Sequence, residues 1–325
     1  MCLFVRAALA VAVPAMLVAA PVGAKAQDYP TKDLNFVVGF AAGSGADILV
    51  RYFAEKMKPF IAPRTVIVHN KPGAAGSIAR KYAMEQPADG HTILLDAGSS
   101  IASTPWMFKS PALDVSTSVQ MVGTMNRQAF MVVVPASSPY KTIADLIADM
   151  KKKGNAATYG TVSPSGIVLG ELLKFRAGLE TEQVRYRSSA DLLNDLTSGR
   201  LQFATLDPIF SLAQAREGRL RPLAVSSAER LASVPDLPTM KESGVDMDLM
   251  TWWSLSVPKG TPASSIAKLN GWLNQILATD ETKAFLNANG SDPLISTPET
   301  TQRMFLEAIP IWKEFLEIAK IEPAG

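Results

Sequence analysis

The residues best placed to do chemistry lie in Phe36-Val37-Val38-Gly39-Phe40-Ala41-Ala42-Gly43-Ser44-Gly45-Ala46-Asp47, an apolar run that enters a glycine-rich turn and opens a helical pattern. Such a turn aims unpaired backbone N–H groups and a helix N-terminus at whatever sits above the carboxyl end of the strand, which suits an anion such as a carboxylate. Asp47 stands where its own side chain could cap those amides, and a tight turn without a ligand is the alternative reading. The spacing of Gly39, Gly43 and Gly45 matches neither G-x-G-x-x-G nor a Walker loop, and no Lys-Ser/Thr pair follows, so a dinucleotide or phosphate loop fits worse. A second turn, Asn70-Lys71-Pro72-Gly73-Ala74-Ala75-Gly76-Ser77, repeats the design after the next strand. Two small-residue turns at the same edge of one sheet predict a concave cradle lined by backbone.

Catalytic chemistry finds little support. His69 and His91 are the only imidazoles, the only cysteine is Cys2, and there is neither a G-x-S-x-G elbow nor an H-E-x-x-H pair. A hydrolase working with carboxylates alone is the enzymatic alternative, but no acidic pair stands out at the strand ends. No catalytic residue, metal ligand or cofactor is therefore expected. Lys and Arg number 32 against 30 Asp and Glu, and the only dense basic run is Lys151-Lys152-Lys153, so nucleic acid is not an expected partner.

The elements that must position the turns are readable from periodicity. Strands are expected at Asn35 to Phe40, Thr65 to Val68, Thr92 to Leu95, Met131 to Val134, Ala157 to Gly160, Gln183 to Tyr186 and Leu223 to Val225. Helices are expected at Asp47 to Phe60, Gly76 to Glu85, Thr142 to Lys153, Ser189 to Ser198, Pro262 to Ala278 and Pro298 to Ile318. Thr142 and Thr261 serve as start signals, with Pro262 at a first helical position. Strand, helix, strand is the α/β signature of parallel pairing. At the start, Arg6, the apolar run Ala7 to Ala20 and the small-x-small site Ala24-Lys25-Ala26 read as an export signal over residues 1–26, removed before folding. The remaining length exceeds what one core usually serves, so two domains are expected.

At these two turns, and over nearly all of the mature chain, the sequence resembles the tripartite tricarboxylate transporter receptor family, periplasmic binding proteins also called Bug proteins. The matches include Tyr29-Pro30, the two turns themselves, Asp89-Gly90-His91-Thr92, Tyr159-Gly160-Thr161, Leu223-Ala224-Val225, Pro235-Asp236-Leu237-Pro238-Thr239 and Pro258-Lys259-Gly260-Thr261-Pro262. The resemblance implies a clamshell like the type II periplasmic binding proteins: two α/β domains with central mixed sheets and two crossovers. Domain 1 takes residues 27–127 with 252–325, and domain 2 takes 128–251. It also implies a carboxylated ligand gripped by backbone amides and hydroxyls.

Carried over by position, the first lobe offers Phe40, Ala41, Ala42, Gly43, Ser44, Ala46 and Asp47, then Ala74, Ala75, Gly76 and Ser77, then Ser99 and Ser100 in the loop after the third strand. The second lobe closes with Thr161, Ser163, Ser165, Gly166 and Asp207, for which turn or helix capping is the alternative role. The sequence departs from the family in Val162-Ser163-Pro164-Ser165-Gly166-Ile167-Val168, about two residues short and without the usual histidine, and in Ser100-Ile101, where a threonine-histidine pair is usual. Arg127 could reach a second carboxylate, with a surface arginine as the alternative. Trp252 and Trp253 could wall the pocket, with hinge packing as the alternative. The function implied is capture of a small mono-, di- or tricarboxylate, aromatic acids included, in the periplasm by a monomer serving membrane permease subunits. A sensor partnering a membrane kinase would share this fold.

Overall fold

The computed structural model describes residues 29–109, 113–231, 233–318 and 320–323; the expected export signal lies outside them. Eleven strands are present among the described residues: β1 Leu34–Val38, β2 Val66–Asn70, β3 Thr92–Ala97, β4 Val119–Ala129, β5 Met131–Pro135, β6 Thr158–Thr161, β7 Glu182–Arg185, β8 Phe203–Leu206, β9 Leu220–Val225, β10 Met250–Pro258 and β11 Ser291–Pro293. The helices are α1 Gly45–Ile61, α2 Ser77–Met84, α3 Gly98–Met107, α4 Val115–Ser118, α5 Ile143–Lys153, α6 Pro164–Ala177, α7 Ser189–Thr197, α8 Pro208–Arg216, α9 Ala263–Ala278, α10 Asp280–Ala288 and α11 Pro298–Ile318.

The strands form two mixed sheets, ordered β11-β4-β10-β3-β1-β2 and β7-β6-β8-β5-β9. The parallel pairing expected of successive strands holds for β2-β1-β3 and β7-β6-β8. It stops where β10 joins β3 antiparallel and where β5 joins β8 and β9 antiparallel. Only Phe130 separates β4 of the first sheet from β5 of the second, and the chain returns between β9 and β10. Each sheet with its helices makes one lobe, and two strand-to-strand crossings join them.

Local signals explain several boundaries. Thr142 caps α5 in a reciprocal box with Asp145, satisfying two of the otherwise orphaned amides. The expected start of α9 is corrected: Pro262 is itself the N-cap, and Thr261 turns its hydroxyl to the Pro258 carbonyl at 2.8 Å. One core fills the first lobe around Phe36, Phe53, Leu255 and Leu273. A second runs from Ile101 and Met121 of the first lobe, under Phe305 and Trp312 of α11, to Val132 and Leu172 of the second. The terminal helix thus packs on both lobes and ties them.

Candidate functional site

The first turn is built from within. Ser44 caps α1, accepting from the Asp47 amide at 3.3 Å and donating to the Ala41 carbonyl at 2.8 Å. The Asp47 carboxylate accepts from the Gly43 amide, from Arg51 Nε and from Asn70 Nδ2, each at 2.9 Å. Burial pushes this carboxyl upward, but those three donors outweigh it and hold Asp47 below the usual carboxylate range. Asp47 is therefore the staple of the turn, and the Gly43 amide is already engaged. Phe40, Ser44 and Ala46 line the cleft, whereas Ala41, Ala42, Gly43 and Asp47 do not. The first two amides of α1, on Gly45 and Ala46, have no partner among the described residues.

The second turn is braced from behind. Four consecutive residues have positive φ: Gly73 at 126°, Ala74 at 44°, Ala75 at 49° and Gly76 at 85°. A left-handed alanine is disfavoured because its Cβ crowds the following carbonyl, so something must hold the turn. Arg80, fully buried, donates twice to the Ala75 carbonyl (3.1 and 2.6 Å), once to Thr104 Oγ1 (3.1 Å), and through Nε to the buried Asp96 carboxylate (3.1 Å). The two turns touch, since a Cβ on Gly39 would come 2.9 Å from Gly76 Cα. Ala74, Ala75 and Gly76 line the cleft, while Ser77 begins α2 behind them.

Facing these turns, the second lobe presents the starts of its helices. Ser163 caps α6, accepting from the Gly166 amide at 3.2 Å, and Asp207 caps α8, accepting from the Phe210 amide at 3.0 Å. An inner cavity between the lobes is lined by Ser44 and Ala46 at the start of α1, Ser100 at the start of α3, Ser163 and Ser165 at the start of α6, Ser189 at the start of α7, and Asp207 and Ile209 at the start of α8. Phe40, Ala97, Gln128, Phe130, Val162 and Trp253 complete the wall. Five helix N-termini, each worth roughly half a positive charge, thus converge on a cavity that no lysine, arginine or histidine lines. Asp207 is the one ionisable group in that lining, and burial pushes it up to about 6 against the pull of its capped amides.

The lobes are in contact around this cavity. Ser99 Oγ and Ser165 Oγ share a 2.9 Å hydrogen bond across the cleft, and a Cβ on Gly45 would fall 2.1 Å from Asp207 Oδ1. The open volume at the centre is about 20 Å3, room for one water. Past Phe40 and Val162 the cleft widens into two outer cavities of about 480 and 190 Å3. Ala74, Ala75, Val162, Pro164 and Tyr186 line both, Arg187 lines the larger, and Thr161 and Arg185 line the smaller.

The structure thereby gathers Phe40, Ser44, Ala46, Ala74, Ala75, Gly76, Ser99, Ser100, Thr161, Ser163, Ser165 and Asp207 along one cleft. Gly166 is packed beneath, where a Cβ would strike Thr161 Oγ1 at 2.2 Å. The expectation for Ser99 and Ser100 is corrected in one respect, because they belong to the first turn of a helix and not to a loop. Two further expectations are corrected. Arg127 stands outside the cavities, exposed on β4 with Nε 3.4 Å from Asp292 Oδ2 of β11. Trp252 lies over the start of α3, its ring where a Gly98 Cβ would be at 2.2 Å, so that Trp253 is the indole that walls the inner cavity. Among the described residues no cluster of three or more His, Cys, Asp or Glu could hold a metal.

A sequence profile described as "Tripartite tricarboxylate transporter family receptor" matches residues 49–320. The chain belongs to this receptor family. Among curated relatives, BugT of Bordetella pertussis is 27% identical over 306 residues, spanning 91% of both chains. A protein of the Agrobacterium vitis ttuE-ttuC' intergenic region is 30% identical over 261 residues, or 78% of this chain and 74% of that one. Among solved structures, Rpa4515 of R. palustris with adipate superposes with a TM-score of 0.87 at 29% identity, covering 91% of this receptor and all of that chain. The periplasmic binding protein BugD superposes with a TM-score of 0.85 at 28% identity over the same shares. Family and neighbours alike place this receptor among solute-binding proteins rather than enzymes.

Proposed function

We propose that this receptor captures a small carboxylate between its lobes, divided as 27–127 with 252–325 and 128–251, and presents the closed form to membrane permease subunits from the periplasm. The observation that carries the reading is the convergence of five helix N-termini on an inner cavity without a cationic side chain. Fixed dipoles stabilise an anion without the reorganisation that a flexible lysine would need, so a buried carboxylate is favoured there over a sugar or an amine. The free amides of Gly45 and Ala46 and the hydroxyls of Ser100, Ser163, Ser165 and Ser189 are the donors proposed to meet it. The adipate held by Rpa4515, at 29% identity, supports the ligand class.

The inner cavity is too small for more than a carboxylate head in this closed form, so entry requires the lobes to part. A ligand that touches both lobes then shifts the molecule toward closure by its differential affinity for that state. Among the described residues no helix is long and apolar enough to cross a membrane, in keeping with an exported receptor that meets its permease by docking. The test is a thermal-shift screen of the mature chain against mono-, di- and tricarboxylates, sugars and amines. At about a hundred times Kd a true ligand adds about 2.7 kcal/mol, which raises the midpoint by roughly 4 °C for a chain of this size. Shifts confined to sugars or amines would overturn the ligand class.

A further inference from the structure

Under that reading the inner cavity, open to the extent of one water, takes at most a carboxylate head and none of the body attached to it. Whatever is attached must pass Phe40 and Val162, because these two side chains line both the inner cavity and the larger outer one. Beyond them the cleft changes character. The outer cavities together carry two arginines, Arg185 and Arg187, and a phenol, Tyr186, all from the end of β7 and the segment leading to α7. Arg185 donates through Nε to Gln183 Oε1 at 2.7 Å and meets no carboxylate. Arg187 makes no hydrogen bond or ion pair among the described residues and lines the 480 Å3 cavity opposite the second turn. In that turn the Ala74 and Ala75 amides also lack partners, and Arg80 holds the Ala75 carbonyl turned away. Thr161 lines the neighbouring cavity, and its Oγ1 is buried with no hydrogen-bond partner.

We propose that Arg187, facing the second turn, forms a distal anion subsite that selects linear α,ω-dicarboxylates, whose methylene chain lies between Phe40 and Val162. This inference rests on the carboxylate reading above and adds the ligand's second charge. The two ends of the ligand are then held by different physics. The inner head is met by rigid backbone dipoles, whereas the outer head is met by a planar guanidinium that binds a carboxylate in a bidentate fork. The apolar pair between them rejects short ligands, which cannot reach, and ligands with polar midsections, which would lose hydration there. The role that the sequence offered to Arg127 is thereby reassigned to Arg187 of the other lobe.

The test is isothermal titration of the mature wild type, Arg187→Gln, Arg187→Glu and, as control, Arg127→Gln, with succinate through suberate and with the monomethyl ester of each acid. In the wild type, one dicarboxylate of the series should bind about tenfold or more tighter than its monoester, the size expected of a partly exposed charge-assisted pair. Arg187→Gln should erase that ratio and leave monoester affinity unchanged, Arg187→Glu should invert it, and Arg127→Gln should leave it alone. All of these variants alter exposed side chains, and unchanged thermal midpoints confirm folding. If monoesters and diacids bind the wild type alike, or if Arg187→Gln weakens both ligands equally, the subsite is wrong while carboxylate capture stands. If no carboxylate binds the wild type at all, both readings fall together.

Discussion

Asp207 holds an unusual post: a carboxyl group set among helix N-termini that are arranged to attract another carboxylate. Its side chain caps α8 and abuts Gly45 Cα, so it cannot move aside without opening the lobes. Burial lifts its pKa to about 6, above the ordinary aspartate value of 3.8. The folded state therefore keeps this proton at a pH where the unfolded chain has lost it. The stabilisation is fully present below about pH 4 and is lost as pH rises through about 6. Protonated, Asp207 can donate a hydrogen bond to a ligand carboxylate; ionised, it repels one. No other ionisable side chain lines the inner cavity, so carboxylate affinity should fall about tenfold between about pH 5.5 and pH 7.5. Asparagine caps a helix as well as aspartate does, so Asp207→Asn should fold normally and flatten that profile. Titrations at several pH values decide the matter, and an equally steep profile in the variant would remove Asp207 from the site.

At the scale of elements, the first turn shows that glycines close in sequence can have different work. Gly43 needs its positive φ of 79° but faces open space, whereas Gly45 has ordinary helical geometry and no room, with Asp207 where its Cβ would go. Gly43→Ala should cost about 1 kcal/mol of stability and leave carboxylate affinity nearly intact. Gly45→Ala should keep the midpoint of chemical unfolding within about 1 kcal/mol and weaken binding by at least tenfold, because the lobes can no longer meet there. Equal effects of the two substitutions on affinity would show that closure does not pass through this contact.

The sequence made the two turns legible because glycine and alanine cluster where backbone must approach backbone. It also made legible the helices with a polar face, α1, α5, α7, α9 and α11. Apart from α10, the longer helices it hid lack such a face. In β4, Thr124, Asn126 and Gln128 are buried, so a central strand reads as a polar segment. Helices α6 and α8 pack on several sides near the cleft and show no apolar stripe. In α3, serines and Pro105 disguise a helix as a loop. Since α3, α6 and α8 supply three of the five converging N-termini, the strongest feature of the site was hidden with them. Arg80 was equally invisible, because only the fold shows that its face of α2 points inward toward Asp96.

For the whole molecule, capture depends on two lobes that separate and rejoin, and the chain contains what is needed to control that motion. The lobes are linked by two strand crossings and by α11 packed on both, and they also meet across the cleft. There the Ser99 and Ser165 hydroxyls meet at 2.9 Å, one from α3 and one from α6. Side-chain atoms this close across an interface are suited to a cysteine pair, and the only cysteine in the sequence, Cys2, lies in the expected export signal, so a chain made from residue 27 onward has no competing thiol. Ser99→Cys combined with Ser165→Cys should oxidise to an interlobe disulfide. The oxidised protein should then neither admit nor release a carboxylate during an experiment of minutes, and a reductant should restore exchange on the seconds scale or faster. Small-angle scattering should show the oxidised form as compact with or without carboxylate, while the reduced form contracts on addition. If labelled carboxylate exchanged equally fast from the oxidised and reduced proteins, ligands would be entering without the lobes parting, and the inner cavity, with room for a single water, could not be where their charge is held.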